Sequence, residues 1–476
     1  MNPKSARPVL ALLTSHWISL LGAALVTTAV FSWLFVLPAH MHGKTSNPYI
    51  GLLIFIYIPV VFFAGLALMP VGFVLAKKQI AAGLRAEPDR KTTARRLAVF
   101  FGATTFLNLL IGTQITYRAV AHMETVQFCG QSCHVMKPEF TAHENTAHSR
   151  VTCTQCHVAP GASGWVASKM AGTRQLMGVV FNNYPRPIAS AMESNRLVPA
   201  SETCEECHWP ERTTPLKVRV ISSFKDDEKN TASQTVLSMM VGGGRLGGIH
   251  GAHIGPGVEI RYATSDAKRQ TIPWVEYRNS AAAKTVAYSA ADAKPETVRG
   301  LPIFTMTCVD CHNRPTHAFE LPERAVDAEM ARGVIPAGLP FIKKKSIEVL
   351  KAEYASTEEA TVKITAAIDD YYQKTYADLY SKRSAEIGRA ANAIAAIYNR
   401  NVFPDLKVTW GTYPNNLGHT DSPGCFRCHD QAHSAPGGAA VTQDCTVCHQ
   451  AVAVEEASPE VLKTLGVAER LTQMQQ

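Results

Sequence analysis

Six copies of the motif Cys-x-x-Cys-His constrain this chain more than any other feature of its 476 residues. All 12 cysteines belong to a motif, and the first motif has one additional residue between its cysteines. Random order at this composition would give on the order of one hundredth of a match. The cysteines are Cys129 and Cys133, Cys153 and Cys156, Cys204 and Cys207, Cys308 and Cys311, Cys425 and Cys428, and Cys445 and Cys448, followed by His134, His157, His208, His312, His429 and His449.

This pattern is typical of covalently attached haem. Two thiols on a short spacer add across the two vinyl groups of haem, and the adjacent histidine then lies beneath the iron as its proximal ligand. Zinc is the alternative, but a zinc site does not need a histidine directly after every second cysteine. The sequence therefore predicts six covalently bound haem c groups, and it leaves no cysteine for a disulfide.

Each iron also needs a distal ligand. Met136, two residues after His134, is expected to coordinate or shield the first haem. The other distal candidates are histidines near a motif or in a glycine-rich loop, with His143 and His250 as close rivals. They are His148, His253, His317, His419 and His433. Paired histidine ligands keep reduction potentials low, whereas a methionine ligand raises them.

Three apolar runs near the N-terminus predict membrane-spanning helices. They cover about residues 18–37, 50–76 and 97–117, and a bilayer core requires about 20 apolar residues in helical form. A buried soluble helix is the alternative. It applies best to the third run, which contains Asn108 and Gln114.

Positive charge sets the predicted orientation of these spans. The loop after the second run carries seven basic residues, whereas the loop between the first two carries only Lys44. The positive-inside rule places the N-terminus and the basic loop in the cytoplasm, and the chain after Arg118 outside. All six motifs then lie outside, where haem is attached to c-type cytochromes. The prediction is a multi-pass protein of the bacterial inner (cytoplasmic) membrane with its haem domain in the periplasm.

The predicted fold is mostly α, with much irregular structure. Residues 1–118 form the three-span transmembrane anchor, residues 119–210 hold the first three motifs, and residues 211–476 hold the last three. The Gly-, Ser- and Ala-rich stretch 209–307 predicts loops and short strands. Residues 346–398 predict one long helix, because they are rich in Ala, Glu and Lys and almost free of helix breakers.

The formal net charge of +8 does not indicate a nucleic-acid partner. Many of the basic residues lie beside the spans, and six haems add about twelve propionate charges, partly offset by the irons. We therefore expect membrane lipid as a partner, and we expect no nucleic-acid partner.

The segment from Phe128 to His208 resembles the NapC/NirT family of membrane-anchored quinol dehydrogenases. The strings that carry this resemblance are Phe128-Cys129, Cys133-His134-Val-Met136-Lys-Pro-Glu139, Asn145-Thr-Ala-His148 and Cys156-His157-Val. The longer chain is similar to inner-membrane multihaem cytochromes of metal-reducing bacteria. It shares with them three N-terminal spans, Tyr184-Pro-Arg-Pro187, Cys207-His208-Trp-Pro210 and Cys311-His312-Asn-Arg-Pro-Thr-His317.

The resemblance implies oxidation of quinol at the outer membrane face, beside the first haem. In the family a methionine shields that haem and a lysine lies near the quinol. By position, these residues are Met136 and Lys169. The family's acidic residue near the quinol has no clear match here, and Glu139 is one candidate for the proton acceptor. Family members with one span and four haems lack the first two spans and residues 209–476 in this form.

The leading hypothesis is a quinol-oxidising electron-transfer protein of anaerobic respiration. Electrons from the quinone pool enter at the first haem and leave from the last pair to a soluble periplasmic cytochrome or a reductase. One alternative is an electron conduit without a quinone site, fed by a partner membrane protein. The other is a periplasmic reductase of a small nitrogen compound. That activity needs an open iron position, usually signalled by an unusual proximal residue, and all six motifs end in histidine.

Overall fold

The computed structural model describes residues 9–41, 56–84, 89–132, 134–193, 197–209, 215–243 and 247–465, without the side chains of residues 9, 10, 35–41 and 90. The chain divides into two compact units, Met1–Ser132 and Cys133–Gln476. Four features of the sequence analysis lie outside the described residues: Lys44, the beginning of the second predicted span, Arg85 and Cys133.

The first unit is helical. Three of its helices are long and apolar enough to cross a membrane. Mean hydropathy is 1.7 over Trp17–Leu34, 2.4 over Ile58–Ala81 and 1.5 over Lys91–Met123. This confirms the three predicted spans. The helices are α1 (Val9–Leu13), α2 (Trp17–Met41), α3 (Ile58–Ala81), α4 (Arg90–Met123) and α5 (Val126–Gln131).

Small residues allow α2 and α3 to pack closely. A Cβ atom added to Gly22 would lie 2.6 Å from the carbonyl oxygen of Gly65, and one added to Gly65 would lie 2.8 Å from that of Gly22. Ser19 Oγ also donates a hydrogen bond to the carbonyl of Met69 at 2.9 Å. In lipid the hydrophobic effect does not drive helices together, so close packing at glycines and hydrogen bonds between helices hold them instead.

The helix that contains the third predicted span begins before that span. Asp89 caps α4 by accepting a hydrogen bond from the backbone N–H of Thr92 at 2.7 Å, so the basic residues Lys91, Arg95 and Arg96 are helical. Hydropathy alone places the boundary at residue 97 because it does not detect the cap.

The second unit combines short helices around the motifs with two sheets and a helical subdomain. Its helices are α6 (Lys137–Glu144), α7 (Cys153–His157), α8 (Gly161–Val180), α9 (Gly248–Ile254), α10 (Pro295–Arg299), α11 (Cys308–Cys311), α12 (Pro322–Ala331), α13 (Ile342–Leu350), α14 (Thr357–Thr375), α15 (Ala377–Asn401) and α16 (Glu460–Thr464). Its strands are β1 (Lys217–Phe224), β2 (Ala232–Met239), β3 (Val258–Ala263), β4 (Trp274–Asn279), β5 (Lys284–Ser289), β6 (Ile303–Thr305) and β7 (His449–Glu456).

The two antiparallel sheets position motifs at their ends. One sheet has the order β1-β2-β7 and the other β5-β4-β3-β6. Strand β7 begins at His449, which pairs with Met239 of β2. The fourth motif follows β6 almost directly. The strands in this region agree with the prediction of short strands between residues 209 and 307.

Helices α12 to α15 enclose the largest apolar core of the second unit. Ile335, Leu339, Ile364 and Ile394 are fully buried in it. A buried ion pair joins Lys343 Nζ to Asp327 Oδ1 at 2.5 Å. The same Asp327 oxygen accepts the backbone N–H of Phe224, which fixes β1 to this subdomain.

The long helix predicted for residues 346–398 is three helices in the structure: α13, α14 and α15. Ser356 ends the continuity because its side chain caps α14, accepting the backbone N–H of Glu359 at 3.1 Å. At Tyr376 the backbone leaves helical geometry (φ −133°, ψ 54°). A capping sequence, Ser-x-x-Glu, therefore interrupts the helix where no glycine or proline does.

We predict that Ser356→Ala lowers the local opening free energy of α14 by about 1 kcal/mol, because it removes the N-cap acceptor. Native-state hydrogen exchange of the amides in Thr357–Thr375 measures this effect. The matched control is Ser384→Ala, an exposed serine within α15. An equal effect of both substitutions would contradict the capping role.

Candidate haem centres

Short helical turns bring the histidines of the third, fourth and fifth motifs back to their first cysteines. The backbone N–H of His208 donates to the Cys204 carbonyl at 2.8 Å, and His312 and His429 repeat this bond to Cys308 and Cys425. Each cysteine that the structure describes is at least partly accessible. Among the described residues, no three His, Cys, Asp or Glu side chains converge as a metal-ion site would require. Accessible thiols are what thioether attachment to haem requires.

Five of the six motif histidines face a histidine from elsewhere in the second unit. The ring centroids are 5.8 to 6.3 Å apart, and the rings come from segments distant in sequence. The pairs are His157 with His317 (6.2 Å), His208 with His148 (5.9 Å), His312 with His250 (6.3 Å), His429 with His253 (5.8 Å) and His449 with His419 (6.2 Å).

These distances fit one iron between each pair of rings. A metal–imidazole bond is about 2 Å long, so an iron with a ring nitrogen on each side holds the ring centres roughly 6 Å apart. Direct stacking of two imidazoles would bring the rings closer. The side chains present therefore match the predicted cofactor.

Hydrogen bonds orient several of these rings. The Nδ1 atoms of His253, His317 and His429 lie 2.7, 2.9 and 2.7 Å from the backbone carbonyls of Ile249, Glu139 and Thr442. His148 Nδ1 lies 3.2 Å from the carbonyl of Pro315. A bond at Nδ1 leaves Nε2 free for a metal, which is the usual outer-shell arrangement of a histidine ligand.

Burial favours the neutral form of four of these imidazoles. It lowers the pKa of His317 to about 4, and it also lowers the pKa values of His157, His253 and His312. Only the neutral ring has a lone pair for a metal, so the depressed pKa values favour the ligating form.

His250, a rival candidate in the sequence analysis, faces a motif histidine, whereas the selected candidate His433 is bound elsewhere. Both ring nitrogens of His433 are bound within the protein: Nδ1 lies 2.9 Å from Asp430 Oδ1, and Nε2 lies 2.6 Å from the Ile272 carbonyl. The buried Nδ1 of His250 has no hydrogen-bond partner, and its ring faces His312. Both histidines lie near motifs or glycines in sequence, so sequence position alone does not separate them.

His143, the other rival, also lies near His317, with ring centroids 6.4 Å apart. Its Nε2 atom is hydrogen bonded to the Val151 carbonyl at 2.9 Å. Its Nδ1 atom is buried without a hydrogen-bond partner, as in His250, so His143 could bind a metal only through Nδ1.

The first motif differs from the other five. Its histidine, His134, lies opposite Tyr184, with Nε2 3.2 Å from the phenol oxygen. Arg186 donates to the same oxygen at 2.6 Å and stacks over the tyrosine ring. Met136 is half-buried in the turn that contains His134. Sequence analysis did not select Tyr184 for this role, although the string Tyr184-Pro-Arg-Pro187 was noted.

The second to sixth motifs lie side by side in chain order. Burial raises the pKa of Cys156, and the nearby Cys204 and Cys207 raise it further. Burial and then Cys204 raise the pKa of Cys308 in the same way.

The series continues through the last two motifs. Burial raises the pKa of Cys311 to about 11, with a further contribution from Cys425. Burial and then Cys425 raise the pKa of Cys448. Each of these motifs is therefore close enough to the next for their sulfurs to interact.

A hydrogen-bonded network joins the fourth and fifth motifs through their spacer residues. Arg427 donates to the backbone carbonyls of Asp310 and Arg269, both at 2.8 Å. The buried Asp310 carboxylate accepts from Tyr262 and, at 3.0 Å, from Arg269. These bonds between spacer residues fix one motif against the other.

The two candidates for the quinol site lie in different settings. Lys169 is on α8, with Nζ 5.3 Å from the centre of the Trp165 ring. Glu139 is buried, and its carboxylate lies 3.7 Å from Arg314 and 3.2 Å from His317 Nδ1. Burial raises the pKa of Glu139, and Arg314 opposes this rise. The structure does not bring Lys169 and Glu139 together.

Comparison with known proteins finds related c-type cytochromes. Residues 91–202 match the model of the NapC/NirT cytochrome c family, N-terminal region. The chain is also 36% identical over 447 residues to the cytochrome c-type protein ImcH of Geobacter sulfurreducens. The aligned region covers 91% of this chain and 87% of that protein. The chain belongs to the NapC/NirT family of c-type cytochromes. No solved structure matches it.

Membership of the family confirms the resemblance found in the sequence. A NapC/NirT cytochrome carries covalent haem c and transfers electrons, and this one has three helices capable of anchoring it in a membrane. It is therefore a membrane multihaem cytochrome of electron transport.

Replacement of His250 and His433 tests the axial pairs. We predict that His250→Ala converts one low-spin haem to high spin without loss of attached haem, because His312 would lose the ring that faces it. His433→Ala should leave every haem in the spin state that it has in the unsubstituted protein, and it serves as the matched control. Electron paramagnetic resonance and near-infrared magnetic circular dichroism measure the spin states. A high-spin signal from His433→Ala alone would contradict the assignment.

Proposed function

We propose that this NapC/NirT cytochrome carries six haem c groups, oxidises quinol on the periplasmic face of a bacterial inner membrane and delivers electrons to periplasmic acceptors. The observation that carries the proposal is the row of five facing histidine pairs, one for each motif from the second to the sixth. Each haem, when bound, supplies an iron that takes up and releases a single electron.

The proposed distal ligands follow from the pairs. They are His317, His148, His250, His253 and His419 for the second to sixth motifs respectively, with the motif histidines as proximal ligands. An imidazole on each side of an iron favours a low potential and leaves no position for a substrate. The buried Glu139 fits a role in holding His317 through its backbone carbonyl better than a role as proton acceptor for quinol.

Electrons would enter at the first motif, which is built differently. Among the described residues, Tyr184 lies opposite His134, in the position that a second histidine takes at the other five motifs. Met136 remains the proposed shield or ligand on that haem. Quinol releases two electrons and two protons, and the protons pass to the periplasmic water. Lys169, a cation on the exposed helix α8, remains the candidate for orienting the quinol hydroxyl.

Electrons would leave at the last pair of motifs. Cys425 and Cys445 are exposed, so this end of the row is open to a soluble partner. Exposed acidic residues accompany the last motif, among them Asp444, Glu455 and Glu456. Such charges favour a transient encounter with a periplasmic cytochrome that presents basic residues around its haem edge.

The two alternatives differ in how the structure bears on them. The five facing pairs weigh against a reductase of a small nitrogen compound, because an open iron position would then be limited to the first motif. An electron conduit fed by a partner membrane protein would use the same row of pairs, so quinol reactivity has to separate it from the proposal.

We predict that the purified full-length protein, with no partner present, is reduced by menaquinol or ubiquinol analogues. The measurement is anaerobic stopped-flow absorbance at the reduced α band. Lys169→Gln should slow the reduction about tenfold, since loss of a charge-assisted hydrogen bond costs roughly 1.5 to 3 kcal/mol.

Lys363→Gln, at an exposed position on α14, is the matched control and should not change the rate. Dithionite reduction of every variant shows that the haems remain competent. Reduction by dithionite without reduction by any quinol would favour the conduit.

A further inference from the structure

Helix α8 has its apolar side on the outside. It is 20 residues long, and none of its side chains is buried. Its large apolar residues are exposed, with Met170 at 60% and Val180 at 66% of their full accessibility. The exposed large residues are Trp165, Val166, Met170, Leu176, Met177 and Val180.

These residues form one continuous face. At 3.6 residues per turn they fall within about 140° of the helix circumference. The half-buried residues on the opposite side are small or polar, with Val179 as the exception: Gly164, Ser168, Ala171, Gly178 and Val179. A helix on the surface of a water-soluble domain shows the reverse pattern, with its large apolar residues inward.

This helix therefore needs an apolar partner on its outer face. Exposed apolar patches rimmed by polar groups mark contacts with proteins, ligands or membranes. A helix with so little of its surface buried also gains little from tertiary packing, which supplies most helix stability in proteins.

The chemistry of the face favours lipid. The helix has no acidic residue, and its charged side chains are Lys169 and Arg174, so it complements anionic phospholipid headgroups. Lys169 is the one cation within the apolar face, and its Nζ rests over the Trp165 ring. A tryptophan and a snorkelling lysine are typical of the boundary between acyl chains and headgroups.

The location of the helix in the chain supports the same partner. It follows the third membrane span with only α5 to α7 between them, so the bilayer surface is always available to it. Phe181, the residue that ends the helix, is 70% exposed and extends the apolar surface past the last turn.

We propose that α8 lies in the plane of the outer leaflet, with the face formed by Trp165, Val166, Met170, Leu176, Met177 and Val180 inserted among the lipids. The helix acts as an additional, in-plane anchor that holds this side of the haem unit against the membrane. This contact is with phospholipid and needs no quinol, so it stands or fails independently of the proposed quinol oxidation.

A single introduced cysteine tests the contact. Every native cysteine belongs to a haem motif, so in the haem-loaded protein an added thiol is the only reactive one. Met170→Cys places a bimane fluorophore on the apolar face, and Ala171→Cys places it on the opposite side. Val166→Cys and Ser168→Cys form a second matched pair, in case a variant of the first pair fails to mature.

The full-length protein is placed in quinol-free nanodiscs of phosphatidylcholine and phosphatidylglycerol. Dibrominated phosphatidylcholine should lower the emission at positions 166 and 170 about twofold, whereas aqueous iodide should have little effect there. Positions 168 and 171 should be insensitive to the brominated lipid. Quenching by the haems is the same with and without bromine, and it cancels in the ratio.

Two outcomes would overturn the proposal. Quenching of position 170 by iodide as strong as that of a fully exposed thiol would show that the face lies in water. Quenching of position 170 by neither agent would show that a second copy of the chain or a haem covers it.

Discussion

The pairing of distant imidazole rings is the interaction on which the rest of the second unit depends. His157 and His317, or His429 and His253, come from segments separated by long stretches of chain, yet each pair meets at the spacing of two ligands on one iron. With an iron bound between its two rings, as proposed, each pair would close a long loop of chain. Because a preformed site rarely exists in an unfolded chain, the binding free energy of such a cofactor would contribute to folding.

Short elements become important in this arrangement because one element can serve two centres. Helix α9 is only seven residues long, but it presents His250 to the fourth motif and His253 to the fifth. The Arg427 and Asp310 network fixes the same two motifs through their spacers. Two independent connections therefore hold the fourth and fifth centres at one separation, and electron transfer depends steeply on such separations. The sheets and the helical subdomain supply the rigid support on which these connections rest.

Local signals made much of this architecture predictable. The three spans are long apolar runs, and the motifs specify their cofactor chemistry within five or six residues. Where prediction differed from structure, a side chain rather than a periodicity made the difference. Asp89 moves the start of α4, and Ser356 divides the long helix that composition suggested. Both are caps, and both are visible in the sequence once they are looked for.

The facing histidines show where sequence reasoning ends. His148, His253, His317 and His419 were selected for their proximity to motifs or glycines, and each faces a motif histidine in the structure. The same criterion also selected His433, whose ring is bound by Asp430 and Ile272 instead. Tyr184 was not selected because nothing in its local sequence indicates that it meets His134. Which ring faces which is decided by tertiary contacts, and a single sequence does not contain them in local form.

The intact mass of the purified, denatured protein tests the central claim most directly. Thioether bonds survive denaturation, whereas haem held only by axial ligands is lost. The account predicts a mass equal to the 51.7 kDa polypeptide plus six haem groups. The mass of the bare polypeptide, or of a chain with fewer than six haems after complete maturation, would contradict it.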